Sequence, residues 1–137
     1  MPASIFFDAS VLLYILSEED PRSSIAGDLL LDGGTISVQV LNEFANVARR
    51  KLKMDWDEIE RALDAIRRLC APVMPVTVSM HEAGLQIARR YQFQFYDSII
   101  VAAALESGAE ILFTEDLQHG QVIDGLIIKN PFRSITL

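Results

Sequence analysis

The sequence predicts an α/β domain with a largely parallel central sheet. Short apolar runs, typical of buried strands, alternate with segments whose apolar residues recur every three or four positions, as on one face of a helix. This alternation favours parallel strands that are joined by helices. The chain has 137 residues, 50% of them hydrophobic, which is enough for one complete core. We therefore expect a single domain over residues 1–137, with roughly five strands in its sheet.

The predicted strands are short apolar runs bounded by polar or turn-forming residues. They cover residues 4–7, 35–37, 73–78, 111–113 and 126–128. Pro75 interrupts the third run, and because proline cannot donate to a β-ladder, we expect this strand to be short or to lie at an edge of the sheet.

The predicted helices are marked by apolar periodicity and by residues typical of helix ends. Their apolar positions fall in residues 11–16, 21–32, 40–48, 59–70, 85–88 and 99–105. Asp20 and Pro21 are typical of a helix start, and Gly33 with Gly34 of a helix end. Residues 55–58 open the fourth helix. Residues 79–82 match a capping box and predict the start of the fifth, and the sixth ends near Gly108.

The composition excludes several classes of protein. The formal charge is −7, from 19 acidic and 12 basic residues, so the chain lacks the broad basic field of proteins that bind nucleic acid by charge alone. Cys70 is the single cysteine, which excludes an intrachain disulfide and a cysteine-rich zinc site. The uncharged apolar stretch 98–105 is too short to span a membrane, and the N-terminus has no basic leader. We expect a cytoplasmic protein with no membrane partner.

Four carboxylates lie where a predicted apolar element meets a turn or a helix: Asp8, Glu43, Asp97 and Asp116. Asp8 and Asp116 follow predicted strands, whose carboxyl ends are the usual place for a site in a parallel sheet. By helical spacing, Glu43 and Asp97 share faces with apolar residues and should point inward. Charged groups at the margin of a core are costly unless they are paired or bound to metal.

A divalent cation is the natural counter-charge for these four acids, because no matching set of lysines or arginines accompanies them. Ligands that are all oxygen atoms indicate Mg²⁺ or Mn²⁺ rather than zinc or copper. His81 and His119 are not spaced like a pair of zinc ligands. A hard cation held by carboxylates can activate water and neutralise charge on a phosphodiester, so the set favours hydrolysis of a nucleic-acid backbone.

Four segments together resemble the acidic motifs of the PIN-domain ribonucleases. In order they are FDASVL (7–12), LNEF (41–44), YDSII (96–100) and TED (114–116). The resemblance covers nearly the whole chain and extends to the VapC-like toxins of type II toxin–antitoxin pairs. It implies a three-layer α/β/α domain and an endoribonuclease that depends on Mg²⁺ or Mn²⁺. It also implies a homodimer that a cognate antitoxin neutralises.

The resemblance also implies a role for individual residues. Asp8, Glu43, Asp97 and Asp116 match the family's catalytic metal ligands. Ser10 and Thr114 match hydroxyls that orient the first and the last acid, and Glu115 is an extra acid in the final motif whose part in metal binding the resemblance leaves open. The expected products are RNA ends with a 5′-phosphate and a 3′-hydroxyl.

A basic cluster follows the predicted Glu43 helix and is the candidate surface for an RNA backbone. It consists of Arg49, Arg50, Lys51 and Lys53. Most such runs are solvated faces of helices, but the position next to the acidic set permits a role in binding phosphates.

Two other functions compete with the ribonuclease. A receiver-like phospho-acceptor domain shares the α/β pattern, an acidic end to the first strand, Thr114 and Lys129. It also needs an Asp at the end of a middle strand, where the candidates Asp55 and Asp57 instead open a helix. A non-catalytic PIN-like interaction module would keep the fold without the chemistry, and the complete acidic set argues against it.

Overall fold

The computed structural model describes residues 3–134, which form a six-stranded sheet with helices packed against it. The strands are β1 Ile5–Phe7, β2 Gly34–Ser37, β3 Cys70–Met74, β4 Ile111–Phe113, β5 Val122–Ile123 and β6 Leu126–Lys129. The helices are α1 Ala9–Leu12, α2 Pro21–Asp32, α3 Val38–Arg50, α4 Trp56–Leu69, α5 Val78–Tyr91 and α6 Phe95–Glu106. A short 3-10 helix, Leu13–Leu16, continues α1. Within residues 3–134, no helix is long and apolar enough to cross a bilayer.

The order of the strands places a natural site between β1 and β4. The order is β3-β2-β1-β4-β6-β5, and each neighbouring pair is parallel except β5 and β6, which are antiparallel. The chain runs outward from β1 to β3 and then returns to the other side of β1 with β4. Phe7 pairs with Phe113, so the carboxyl ends of β1 and β4 are level. In open parallel sheets, ligands bind beyond the carboxyl ends at such a reversal.

The core lies along the two central strands and around α6. Phe6, Phe7 and Leu112 are fully buried on the strands. Helix α6 is buried from Ser98 to Ala104, as expected for a helix that is apolar on all sides. It packs against α5, β2 and α3. Asp97 stands in the first turn of this helix, so the core fixes the position of its backbone.

Most of the predicted helix ends are confirmed. Asp20 caps α2 by accepting a hydrogen bond from the Arg22 N–H at 2.9 Å, and Gly33 ends the helix with φ of 85°. Asp55 and Glu58 form a capping box at the start of α4. In each case the residues that determine where the helix begins or ends are close together in the sequence, so the local pattern is sufficient to predict that position.

The predicted third strand and the start of the fifth helix were placed wrongly. The strand begins at Cys70, directly after α4, where it pairs with Gly34, and it ends before Pro75. Val78 belongs to α5 and is 75% exposed, so the apolar run over-predicted burial. The N-cap of α5 is Thr77 rather than Ser79, because the Thr77 hydroxyl accepts the Met80 N–H at 3.1 Å.

The predicted α/β class and largely parallel sheet are confirmed, with one more strand than expected. The additional strand, β5, pairs with β6 through a tight turn at Asp124 and Gly125, whose φ values are 47° and 86°. Two successive residues with positive φ are typical of a type I′ hairpin, and Asp-Gly is a sequence signal for it. That signal was present between the apolar residues of 122–123 and 126–128.

We expect Gly34→Ala to destabilise the protein by about 1–3 kcal/mol. A Cβ at this position would lie 2.6 Å from Phe7 Cε2 and 3.1 Å from the backbone oxygen of Ile5, and neither the buried ring nor the strand can move freely. Gly27→Ala is the matched control, because nothing lies within 4 Å of its Cβ and the helical position favours alanine. Urea unfolding should show a loss of stability for Gly34→Ala and no loss for Gly27→Ala. Equal stability of Gly34→Ala and the wild type would contradict this packing.

Candidate active site

A cleft of about 1050 Å³ opens beside the carboxyl ends of β1 and β4. Its walls come from α1, from α3, from the segment before α6 and from the turn after β4. Glu43, Asp97, Glu115 and Asp116 line it, together with Ser10 next to Asp8. Side chains from widely separated parts of the sequence therefore meet at the place where the sheet topology favours a site.

Asp8 is the most buried acid of this cleft, with 3% of its surface exposed. Its backbone N–H donates to the Phe113 oxygen at 3.0 Å, which continues the pairing of β1 with β4. Its Oδ2 accepts two hydrogen bonds of 2.7 Å, one from the Ser10 hydroxyl and one from the Thr114 hydroxyl. These bonds fix the orientation of the carboxylate.

Two consecutive backbone amides orient the hydroxyls of Ser10 and Thr114. The Glu115 N–H donates to Ser10 Oγ and the Asp116 N–H donates to Thr114 Oγ1, both at 3.1 Å. Because each hydroxyl accepts one bond from an amide, its single proton remains free to point at Asp8. Hydrogen bonds of this direction favour the ionised form of Asp8.

The other three acids reach the cleft from α3, α6 and the turn after β4. Glu43 lies in the middle of α3 and is half-buried, and the Gln39 side chain one turn earlier lowers its pKa. Asp97 is half-buried in the first turn of α6. Asp116 is the most exposed of the four. The structure thus brings Glu43, Asp97 and Asp116 to the wall of one cleft and places Asp8 beneath it, next to Ser10 of that wall.

The four carboxylates repel one another, and their pKa values are all raised. Burial, followed by the charges of Asp8, Asp97 and Asp116, raises the pKa of Glu43 to about 7. Loss of hydration and the charge of Asp8 raise the pKa of Asp116 to about 6. The pKa of Asp97 is raised by burial and then by Asp116.

The pKa of Asp8 is also raised, but hydrogen bonds to its carboxylate oppose the shift. Burial raises its pKa, while the hydrogen bonds from Thr114 and Ser10 lower it, and the charge of Asp97 raises it again. Each acid of the set is therefore close enough to at least one other to shift its titration. Buried acids that shift one another's pKa values in this way are typical of a functional site.

The predicted basic cluster divides into different environments. Lys51 lines the cleft and lowers the pKa of Asp116. The Arg49 guanidinium instead donates to the Met54 carbonyl at 3.0 Å and lies 4.9 Å from the centre of the Trp56 ring. Arg50 and Lys53 are exposed. One lysine cannot balance four carboxylates, so the cleft keeps an excess of negative charge.

The donor set fits a hard divalent cation. Within residues 3–134, no three Asp, Glu, His or Cys side chains are grouped closely enough to form a ready metal cage. Mg²⁺ does not need such a cage, because it usually keeps several waters and uses one or two carboxylates. The residues that could hold it are Asp8, Glu43, Asp97 and Asp116.

Glu115 has partners that differ from those of the other acids. Its Oε1 accepts a hydrogen bond of 2.5 Å from the Tyr14 hydroxyl, and its Oε2 lies 3.8 Å from Arg22 Nη1. The carboxylate is therefore engaged by α2 and by the 3-10 helix that follows α1. Its backbone N–H contributes to the site through Ser10.

Several cleft residues were not found by sequence analysis. Gln39, Asn42 and Asn46 line the cleft on the same helix as Glu43, and their spacing of three or four residues was a usable signal. Tyr14 also lines the cleft, but nothing in its local sequence connects it with Glu115, because 101 residues separate them.

Comparison with known proteins agrees with this geometry. The family model for the PIN domain matches residues 5–123. The chain belongs to the PIN domain family, and the predicted resemblance is confirmed at that level.

Solved structures with the same fold include toxins and toxin–antitoxin complexes. VapC20 of Mycobacterium tuberculosis, a toxin that cleaves the sarcin–ricin loop, has a TM-score of 0.66 and 24% identity, over 82% of this chain and 92% of that chain. A toxin–antitoxin complex from Klebsiella pneumoniae has a TM-score of 0.70 and 21% identity, over 93% of this chain and 98% of that chain. FitAcB from Neisseria gonorrhoeae has a TM-score of 0.64 and 17% identity, over 94% and 99%.

We expect the metal-free protein to lose stability as the pH rises from 5 to 8. The pKa of Glu43 is raised from 4.5 to about 7, so between these values the folded chain binds more protons than the unfolded chain, and its stability falls with pH. Allowing for the water that reaches the cleft, the loss is about 1 kcal/mol. Thermal unfolding in a chelator, at a series of pH values, measures it.

Two variants separate Glu43 from the other acids in that experiment. Glu43→Gln should reduce the slope of stability against pH and should be more stable than the wild type at pH 8 without metal. Glu60→Gln, on an exposed position of α4, should keep the wild-type slope. A wild-type stability that rises across this range would contradict the raised pKa of Glu43.

Proposed function

We propose that this chain is a Mg²⁺- or Mn²⁺-dependent endoribonuclease and the toxin of a toxin–antitoxin pair. The observation that carries the proposal is the meeting of Asp8, Glu43, Asp97 and Asp116 in one cleft, where their charges raise one another's pKa values. Membership of the PIN domain family supports nuclease chemistry. The likeness of the fold to VapC20 supports RNA as the substrate.

In this proposal the chain's own residues bind the ion and the RNA backbone. One or two of Asp8, Glu43, Asp97 and Asp116 would bind the cation directly and the others through its waters, while the hydroxyls of Ser10 and Thr114 orient Asp8 and favour its ionised form. When bound, a divalent cation lowers the pKa of a coordinated water and neutralises charge on the phosphodiester.

Contact with RNA is proposed at the rim of the same cleft. Lys51 lines the cleft and is the best placed cation of the basic cluster for a phosphate. Arg50 and Lys53 are exposed nearby in sequence, and Arg49 would have to leave the Met54 carbonyl before it could contribute. The exposed ring of Tyr96, beside Asp97 and 62% exposed, offers a face on which an unpaired base can stack.

A cognate antitoxin and a second copy of the chain are the proposed protein partners. A toxin–antitoxin complex from Klebsiella pneumoniae shares this fold, and so does VapBC2 from Rickettsia felis, which is bound to a DNA fragment from its promoter. An antitoxin that presents basic groups would meet an acidic cleft and exclude RNA from it.

The receiver-like alternative loses its main support. Asp55 accepts the Glu58 N–H at 2.8 Å and caps α4, and Asp57 is exposed in the first turn of that helix. Strand β3 ends at Met74 and is followed by Pro75, so no acid stands where phosphorylation would occur. The non-catalytic module is tested by the experiment that follows.

We expect purified protein to cleave RNA that carries unpaired loops only when Mg²⁺ or Mn²⁺ is present. Asp97→Asn should lower the rate by more than about 100-fold, since even the loss of an outer partner of a metal ligand costs 10–100-fold. Asp124→Asn is the matched control, because it makes the same change in an exposed turn. Gel analysis of labelled RNA measures the rates. Cleavage in the presence of a chelator, or full activity of Asp97→Asn, would contradict the proposal.

A further inference from the structure

We propose that Tyr14 and Arg22 are positioning residues that hold the Glu115 carboxylate away from the metal-binding acids. Through Glu115, they fix the two backbone amides that orient Ser10 and Thr114 toward Asp8. The inference deepens the proposed function and rests on it for its effect on metal binding. The clamp itself, defined as Tyr14, Arg22 and Glu115, rests on contacts within the chain.

The clamp holds Glu115 by both of its oxygens. The Tyr14 hydroxyl donates to Oε1 at 2.5 Å, and Arg22 Nη1 lies 3.8 Å from Oε2. A short hydrogen bond to an ionised carboxylate is stronger than a neutral one. Glu115 is thereby satisfied without a metal ion, although it lines the same cleft as Asp116.

Both clamp donors are themselves held in place. Arg22 donates two hydrogen bonds to Asp20, from Nε at 3.0 Å and from Nη2 at 2.8 Å, and its guanidinium lies 4.4 Å from the centre of the Tyr14 ring. The Phe132 ring also contacts Tyr14, edge-to-face, with the two ring centres 4.8 Å apart. Contacts with Arg22 and Phe132 therefore fix the position of the Tyr14 ring, from which the hydroxyl reaches Glu115.

The position of Glu115 matters because its backbone N–H orients Ser10, which donates a hydrogen bond to Asp8. The Glu115 N–H donates to Ser10, the next N–H donates to Thr114, and both hydroxyls donate to Asp8 Oδ2. A Glu115 side chain released from Tyr14 would no longer fix the position of its own backbone. Its release would also loosen the turn that supplies both amides.

Tyr14→Phe removes one oxygen atom and tests the clamp directly. We expect the dissociation constant for Mn²⁺, measured by calorimetry, to rise about tenfold, as for the loss of an outer partner of a metal ligand. With RNA, kcat should fall by a similar factor while KM stays unchanged. Tyr91→Phe is the matched control, because an arginine also lies over that ring, with the Arg90 guanidinium 5.3 Å from its centre. It should bind Mn²⁺ as the wild type does.

A second variant shows whether Tyr14 acts through Glu115. In a Glu115→Ala background, adding Tyr14→Phe should change the Mn²⁺ affinity no further. Glu115→Gln, which keeps an oxygen acceptor for the Tyr14 hydroxyl, should retain more affinity than Glu115→Ala. Wild-type affinity of Tyr14→Phe, or a full additional loss in the Glu115→Ala background, would overturn the inference.

Thermal unfolding separates failure of the clamp from failure of the proposed function. Tyr14→Phe and Glu115→Ala should each lower the melting temperature by about 3 °C, and the double variant should fall no further, because coupled partners are not additive. If the wild type bound no Mn²⁺, the proposed function would fail while a non-additive pair would still support the clamp. Additive shifts would overturn the clamp itself.

Discussion

Repulsion among carboxylates that share one cleft is the constraint on which the site depends. Together with burial, which is the larger cause, this repulsion raises the pKa of Glu43 to about 7 and that of Asp116 to about 6. The single positive charge of Lys51 is not enough to neutralise these carboxylates. The fold tolerates the repulsion because the acids are carried by a core whose packing is independent of them, with Phe6, Phe7 and Leu112 fully buried beneath the site.

Two sets of contacts within the chain stabilise part of this negative charge, one at Asp8 and one at Glu115. The hydroxyls of Ser10 and Thr114, which accept bonds from backbone amides, donate to Asp8 and oppose the effect of burial on its pKa. Glu115 is withdrawn into contacts with Tyr14 and Arg22. What remains is a set of partly exposed acids that a divalent ion would stabilise if it bound as proposed.

The sequence was sufficient to predict a feature of the fold where the residues that determine the feature are neighbours in the chain. Asp20 and Asp55 were recognised as helix caps, because a cap bonds to an amide two or three residues ahead. The four acids were recognised because each stands beside an apolar run. The third strand was misplaced because Val76 and Val78 look like core residues, although they are 42% and 75% exposed.

Contacts between distant residues could not be predicted in the same way. Periodicity places Gln39 and Asn46 near the face of Glu43, but that this face lines a cleft follows only from the packing of α3 against α1 and β2. The bond between Tyr14 and Glu115 joins residues that are 101 positions apart, and it depends on β1 and β4 being neighbours in the sheet. Only the folded chain brings the two side chains together.

The release of protons on metal binding tests the central claim most directly. Carboxyl groups with raised pKa values must lose their protons before they can bind an ion. Calorimetry in buffers of different ionisation enthalpy should show about one proton released per bound Mg²⁺ or Mn²⁺ at pH 6.5, and close to none at pH 8.5. Absence of binding, or the same proton release at both pH values, would contradict the account of a cleft whose acids lack their counter-charge.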